Sequence, residues 1–124
     1  MFYPVFVPHA VTPKPVVQHA KPHKQTARQY ASSRVSRAWP ASRVAQERCL
    51  VKLWNQESHW NPHAGNASGA YGIPQALPGN KMAKAGKDWK HNPITQVRWG
   101  ISYIISRYGS PCGAWTHEEN YGWY

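Results

Sequence analysis

Glu57 is the residue whose neighbours give it a chemical role. It stands near the end of a run from Arg43 to Ser58 that holds neither glycine nor proline, a helical stretch. Leu50, Leu53, Trp54 and Glu57 fall at i, i+3, i+4 and i+7, so one helix face carries all four. A solvated acid belongs on the opposite face. Burial against Leu53 and Trp54 would raise the carboxyl's pKa, and the negative end of the helix dipole acts in the same direction. A carboxylic acid that keeps its proton near neutral pH can serve as a general acid. Taken alone, the helix favours the plainer reading, a partly exposed acid at a helix end. The loop after it changes that balance.

That loop, residues 59–75, contains Gly65, Gly69 and Gly72, Pro62 and Pro74, and Asn61 and Asn66. Such a composition specifies a tight turn-rich segment instead of a helix or strand. Pro62 separates His59 from His63, so the two cannot share a helical face, and a zinc pair is not expected. Pro40 and Ser42, as turn residue and N-cap, open the Glu57 helix, and Asn61-Pro62 closes it. Residues 80–85 predict a short helix stopped by Gly86, and Lys87 to His91 a polar connector. Asn92-Pro93 caps a longer helix whose apolar stripe is Val97, Ile101, Ile104, Ile105 and Tyr108, ended by Gly109 and Pro111. Residues 112–124 read as aromatic and irregular, with one helical turn at most. No segment alternates with period two, so the expected fold class is all-α.

The chain has 124 residues, room for one small domain and an appendage, and a formal charge of +10. Residues 1–43 carry Lys14, Lys21, Lys24, Arg28, Arg34, Arg37 and Arg43 and no acid, while all five acids lie beyond them. Prolines 4, 8, 13, 15 and 22 favour an extended, polyproline-like front segment. A loose basic helix from Thr26 to Ala38 would need a partner, because its apolar content is small. The division expected is a basic tail, residues 1–42, and a domain, residues 43–124. Such a tail suits polyanionic partners: wall polymers, nucleic acid, anionic lipid or acidic virion proteins. It carries no nucleic-acid recognition motif. No apolar run is long enough to span a bilayer. Met1 to Pro8 makes a poor signal peptide, so an extracellular protein would have had its signal removed or replaced, or would leave by lysis.

Cys49 and Cys112 are too few for a metal cluster and lack CxxC spacing. One lies mid-helix and the other just after a helix. A disulfide between them would close about sixty residues, worth about 4 kcal/mol in the chain-entropy model. The alternative is two buried thiols.

Glu57-Ser58-x-Trp60-Asn61-Pro62 followed by Ser68-Gly69-Ala70-Tyr71-Gly72-Ile73-Pro74-Gln75 resembles the soluble lytic transglycosylase and goose-type lysozyme pattern. There a Glu-Ser pair ending a helix is followed by a Gly-Leu/Ile-Met-Gln turn. Gln96-x-x-Trp99-Gly100-Ile101-x-Tyr103-Ile104, Arg107-Tyr108-Gly109-x-Pro111-Cys112-x-Ala114-Trp115 and Gly122-Trp123-Tyr124 are similar to the actinobacterial and phage branch, labelled aggregation-promoting-factor-like. The resemblance spans residues from about 44 to 124. Pro74 stands where the wider family has Met, and the late Asn-Ala-Tyr-Asn-type motif is missing, with Ala114-Trp115 nearest to it.

The resemblance implies a small lysozyme-like domain that cleaves peptidoglycan glycan strands as a lytic transglycosylase, with Glu57 as acid and then base and no cofactor. It implies Ser58 near the substrate's acetamido or peptidyl region, Gln75 with the backbone of Gly72 and Ile73 as the cleft floor, and Tyr71, Trp60 and Trp115 against sugar faces. Most of the seven tryptophans must be structural instead. Asp88, Glu118 and Glu119, the acids available as a second carboxylate, read more simply as loop caps or surface charges. Three alternatives stand beside this: a hydrolytic lysozyme, a virion-associated protein that opens the wall, and a non-catalytic wall-binding module of the same fold.

Overall fold

The computed structural model describes residues 25–124, so the proline-rich reading of residues 1–24 lies outside the described residues. Four α-helices carry the fold: α1 (Ala27–Ala38), α2 (Arg43–Ser58), α3 (Pro93–Tyr108) and α4 (Pro111–Tyr121). Two 3-10 turns, Pro40–Ser42 and Gly79–Lys84, punctuate the connections. The described residues form no strand, only two isolated bridges, Gly65 with Tyr71 and Tyr71 with Ala76. The all-α expectation stands.

The first helix starts on a capping box. Thr26 Oγ1 accepts from the Gln29 amide at 3.0 Å, and the Thr26 amide donates to Gln29 Oε1 at 2.9 Å. Ala31 and Val35, four residues apart, are buried in the common core. The partner this helix needed is the domain itself: α1 packs on α2 and α3. Compositional reading put residues 27–38 in the tail because their charge outweighs their apolar content. Buried Ala31 and Val35, with Ala27 and Tyr30 packed against the core beside them, dock the helix.

Leu50, Leu53 and Trp54 of α2, Ile73 of the loop, Val97, Ile101 and Ile104 of α3, and Ala114 of α4 complete the core. Trp54 lies across Gly100, where an added Cβ would come within 2.5 Å of the ring. Glycine is required there by close approach. Ile105, assigned to the apolar stripe, is 45 % exposed. The stripe turns instead through Gly100 and Gln96, which are buried.

Other local differences have simple causes. Ser42 occupies the N-cap of α2 but makes no capping bond through its side chain. The helix stops at Ser58, before Asn61-Pro62, because His59 and Trp60 both adopt positive φ (54° and 60°). The segment expected as a short helix at 80–85 is the 3-10 turn at Gly79–Lys84.

The main correction concerns the end of the chain. Residues 111–121 form an eleven-residue helix. Ser110 caps it, its hydroxyl accepting from the Gly113 amide at 3.1 Å, and Pro111 takes the first turn. Gly113 and the aromatics hid this helix, yet Gly113 is needed because a Cβ would meet the Tyr108 carbonyl at 2.5 Å. Cys49 and Cys112 form a disulfide that ties the middle of α2 to the first turn of α4, with their Cα atoms 5.0 Å apart.

Candidate active site

Glu57 occupies the last turn of α2 and is half-buried. Across from it stands Glu118 of α4, only 6 % exposed. Pro111, Ala114 and Glu118 share the buried face of that helix, at i, i+3 and i+7. Burial, then hydrogen bonding to Glu118 and the charge of Glu118, push the Glu57 carboxyl up to about 8. No cation figures among these influences. Glu118 Oε1 is buried without a hydrogen-bond partner, and a proton shared with Glu57 would give it one. Reading Glu118 as a surface charge or loop cap is therefore corrected. The Ser110-Pro111 start, read together with Pro111, Ala114 and Glu118, was the signal that could have found it.

The loop that faces Glu57 is held by its own side chains. Ser58 donates to the Ile73 carbonyl at 2.7 Å, with the Trp54 carbonyl at 3.3 Å, which clasps the loop to the end of α2. Gln96, wholly buried, accepts from the Ile73 amide at 2.8 Å and donates to the carbonyls of Pro62 (3.0 Å) and Trp89 (2.9 Å). Gly72 has φ 81°, and a Cβ there would lie 2.7 Å from Gln96 Oε1. Gln75, itself at φ 55°, turns its carboxamide inward, donating to Ala64 (3.0 Å) and Gly72 (2.9 Å) carbonyls. The side chains of Ser58 and Gln75 are thus engaged with backbone.

Tyr124 closes another side. Its hydroxyl accepts from Trp54 Nε1 at 2.8 Å and donates to the Pro74 carbonyl at 2.7 Å. Burial, foremost, raises its pKa well above the usual tyrosine value, against the lowering effect of the Trp54 hydrogen bond. The charges of Glu57 and Glu118 and the neighbouring Tyr103 add to the rise. A narrow cleft runs beside it, lined by Pro74, Gln75, Trp99, Tyr103 and Tyr124 among others. Glu118, Tyr124, Trp99 and Tyr103 are the residues that sequence reading did not place at the site.

The remaining candidates are more dispersed. Tyr71 is half-exposed, donates to the Lys90 carbonyl at 2.8 Å and meets Trp89 edge to face at 5.7 Å. Trp115 is partly buried against the core. Trp60 packs on Trp54 at 5.2 Å and lies beneath the Arg28 guanidinium at 4.9 Å, which is a structural role. Among the described residues no group of three or more histidines, cysteines or acids could hold a metal ion. No described helix is long and apolar enough to cross a membrane.

Residues 34–118 match the model of the transglycosylase SLT domain. Neither the curated proteins nor the solved structures yield a match. The matched span runs from the middle of α1 to Glu118 in α4, takes in most of the core and both paired carboxyls, and covers well over half of the chain. By that match the protein belongs to the transglycosylase SLT domain family.

Proposed function

We propose that the protein is a lytic transglycosylase that cuts the β-1,4 bond between N-acetylmuramic acid and N-acetylglucosamine in peptidoglycan. Family membership carries peptidoglycan cleavage in general. The observation that carries the role of Glu57 as general acid is its carboxyl, held up to about 8 and so protonated at neutral pH. In the first step its proton passes to the leaving glycosidic oxygen as the bond to the anomeric carbon breaks, while the substrate's own N-acetyl oxygen stabilises the cation. In the second step the Glu57 carboxylate takes the proton of the C6 hydroxyl as O6 bonds to the anomeric carbon. The product carries a 1,6-anhydro end, and no water is consumed.

The placement of Glu118 supports one working acid over two. Two-carboxylate glycosidases separate their acids by about 5–9.5 Å to admit a sugar or a water. Glu118 is buried and acts by hydrogen bonding and charge on Glu57 itself, which suits a neighbour that keeps Glu57 protonated more than an acid facing it across a substrate. Ser58 and Gln75 act by holding the floor formed by Gly72 and Ile73, and Tyr71 and Trp115 offer their rings to sugars. The protein would act on the extracellular wall, as a secreted, lysis-released or virion-borne enzyme. Product masses from purified peptidoglycan test the reading. Anhydro ends are expected, and reducing ends, heavier by one water, would make the protein a hydrolase.

A further inference from the structure

Beyond the narrow cleft at Tyr124, the outer face of α3 opens into a groove of 570 Å³. Lys81, Trp99 and Tyr103 line both spaces, so the groove continues the cleft. Trp99 and Tyr103, four residues apart on α3, stack with ring centroids 5.0 Å apart and planes 14° from parallel. The stack is half open to solvent and presents an outer ring face and the ring edges to the groove. Around it stand Lys81, Lys84, Arg98 and Arg107, and no acid lines the groove. Arg107 lies 5.7 Å from the centre of the Tyr103 ring, and Arg98 is fixed by donating to the Ala85 carbonyl at 3.0 Å.

A neutral oligosaccharide would need the aromatic stack but not the cations. Arg98 already faces Asp88, but Lys81, Lys84 and Arg107, in a groove that no acid lines, suit a ligand that brings its own carboxylates. We propose that this groove is a subsite for the peptide-bearing part of the glycan, the sugar lying against the Trp99–Tyr103 stack and the carboxylates of its attached peptide reaching Lys84 and Arg107. This rests on the peptidoglycan substrate proposed above. The site therefore reads the glycan strand at two places: bond chemistry at Glu57 and peptide substitution along α3.

The test is equilibrium binding of the full chain, carrying Glu57→Gln to prevent turnover, to soluble glycan fragments with their peptides and to the same fragments stripped of them. Lys84→Gln with Arg107→Gln should weaken binding to peptide-bearing fragments about fivefold to tenfold and leave stripped fragments unchanged. Trp99→Ala should weaken both about fivefold. A charge variant that loses affinity equally for both fragments, or for neither, overturns the proposal. A glycerol-phosphate polymer that displaces the peptide-bearing fragment better than the free peptide does would reassign the cations to phosphate, and would overturn it too. Cleavage by the unaltered chain is scored separately, so an inactive protein would sink the proposed function while the binding comparison stays readable.

Discussion

Glu118, buried on α4, acts on the Glu57 carboxyl at the end of α2 by hydrogen bonding and by charge, with no cation among the groups that shift Glu57. Burial and the neighbouring acid make ionising Glu57 costly, so it retains its proton. An acid that must donate loses activity as pH rises through its pKa. Cleavage should therefore fall on the alkaline side near pH 8. Glu118→Gln removes the repulsion and offers an amide donor to ionised Glu57, which moves that limb about one unit toward acid. Activity at pH 5.5 should be nearly unchanged. A pH–rate profile that Glu118→Gln leaves in place would remove Glu118 from this role. Asp88→Asn and Glu119→Gln should not move it.

Glu57→Gln should abolish cleavage, by about 10²–10⁴-fold or more, because one residue serves both proton transfers. Folding and glycan binding should persist. Full activity in this variant would end the assignment of Glu57.

The same carboxyl links stability to pH. Its pKa rises from 4.5 to about 8 on folding, so between those values the folded state holds the extra proton. The stabilising proton is fully in place below the window and is lost as pH rises through it. Wild type should lose melting temperature between pH 5 and pH 8, and Glu57→Gln should lose less. Melts of both proteins at the two pH values decide this, and parallel curves would contradict it.

Gly100→Ala should cost about 1–3 kcal/mol, lowering the melting temperature of this small domain by several degrees. The new methyl would meet Trp54, whose indole is pinned by the Tyr124 hydroxyl and has little freedom to withdraw.

Deleting residues 1–24 removes Lys14, Lys21 and Lys24 but no described part of the fold. It should leave cleavage of soluble fragments intact and weaken adsorption to whole wall, a difference that salt erases. Deleting residues 1–38 also strips Ala31 and Val35 from the core and should destabilise the protein by about 3–5 kcal/mol. Circular dichroism melts of the two truncations should separate them cleanly.

What could be read from the chain follows the strength of local signals. Helices α2 and α3 announce themselves, α2 by a glycine-free run with helical periodicity and α3 by its apolar stripe and its Asn92-Pro93 start. Helix α4 does not, since its glycine and its aromatics argue against the Ser110-Pro111 start. Glu118 went with it, because an acid shows its burial only once its helix is known. Gln96 is invisible for another reason. A glutamine on an apolar stripe looks like a surface residue until the loop it serves is folded against it.

That glutamine has a kinetic corollary. One side chain joins the segments at Pro62, Ile73 and Trp89 to α3. Segments stitched through a single buried group cannot fray one at a time, because losing any bond strands the rest in an apolar surround. The loop beneath the site should behave as part of the α3 foldon, with the Ile73 amide exchanging its hydrogen only through openings nearly as costly as global unfolding. Catalytic-site loops usually belong to the loosest part of a protein; here the floor of the cleft would be among the slowest to exchange, and whatever moves to admit a glycan strand must lie elsewhere on its rim.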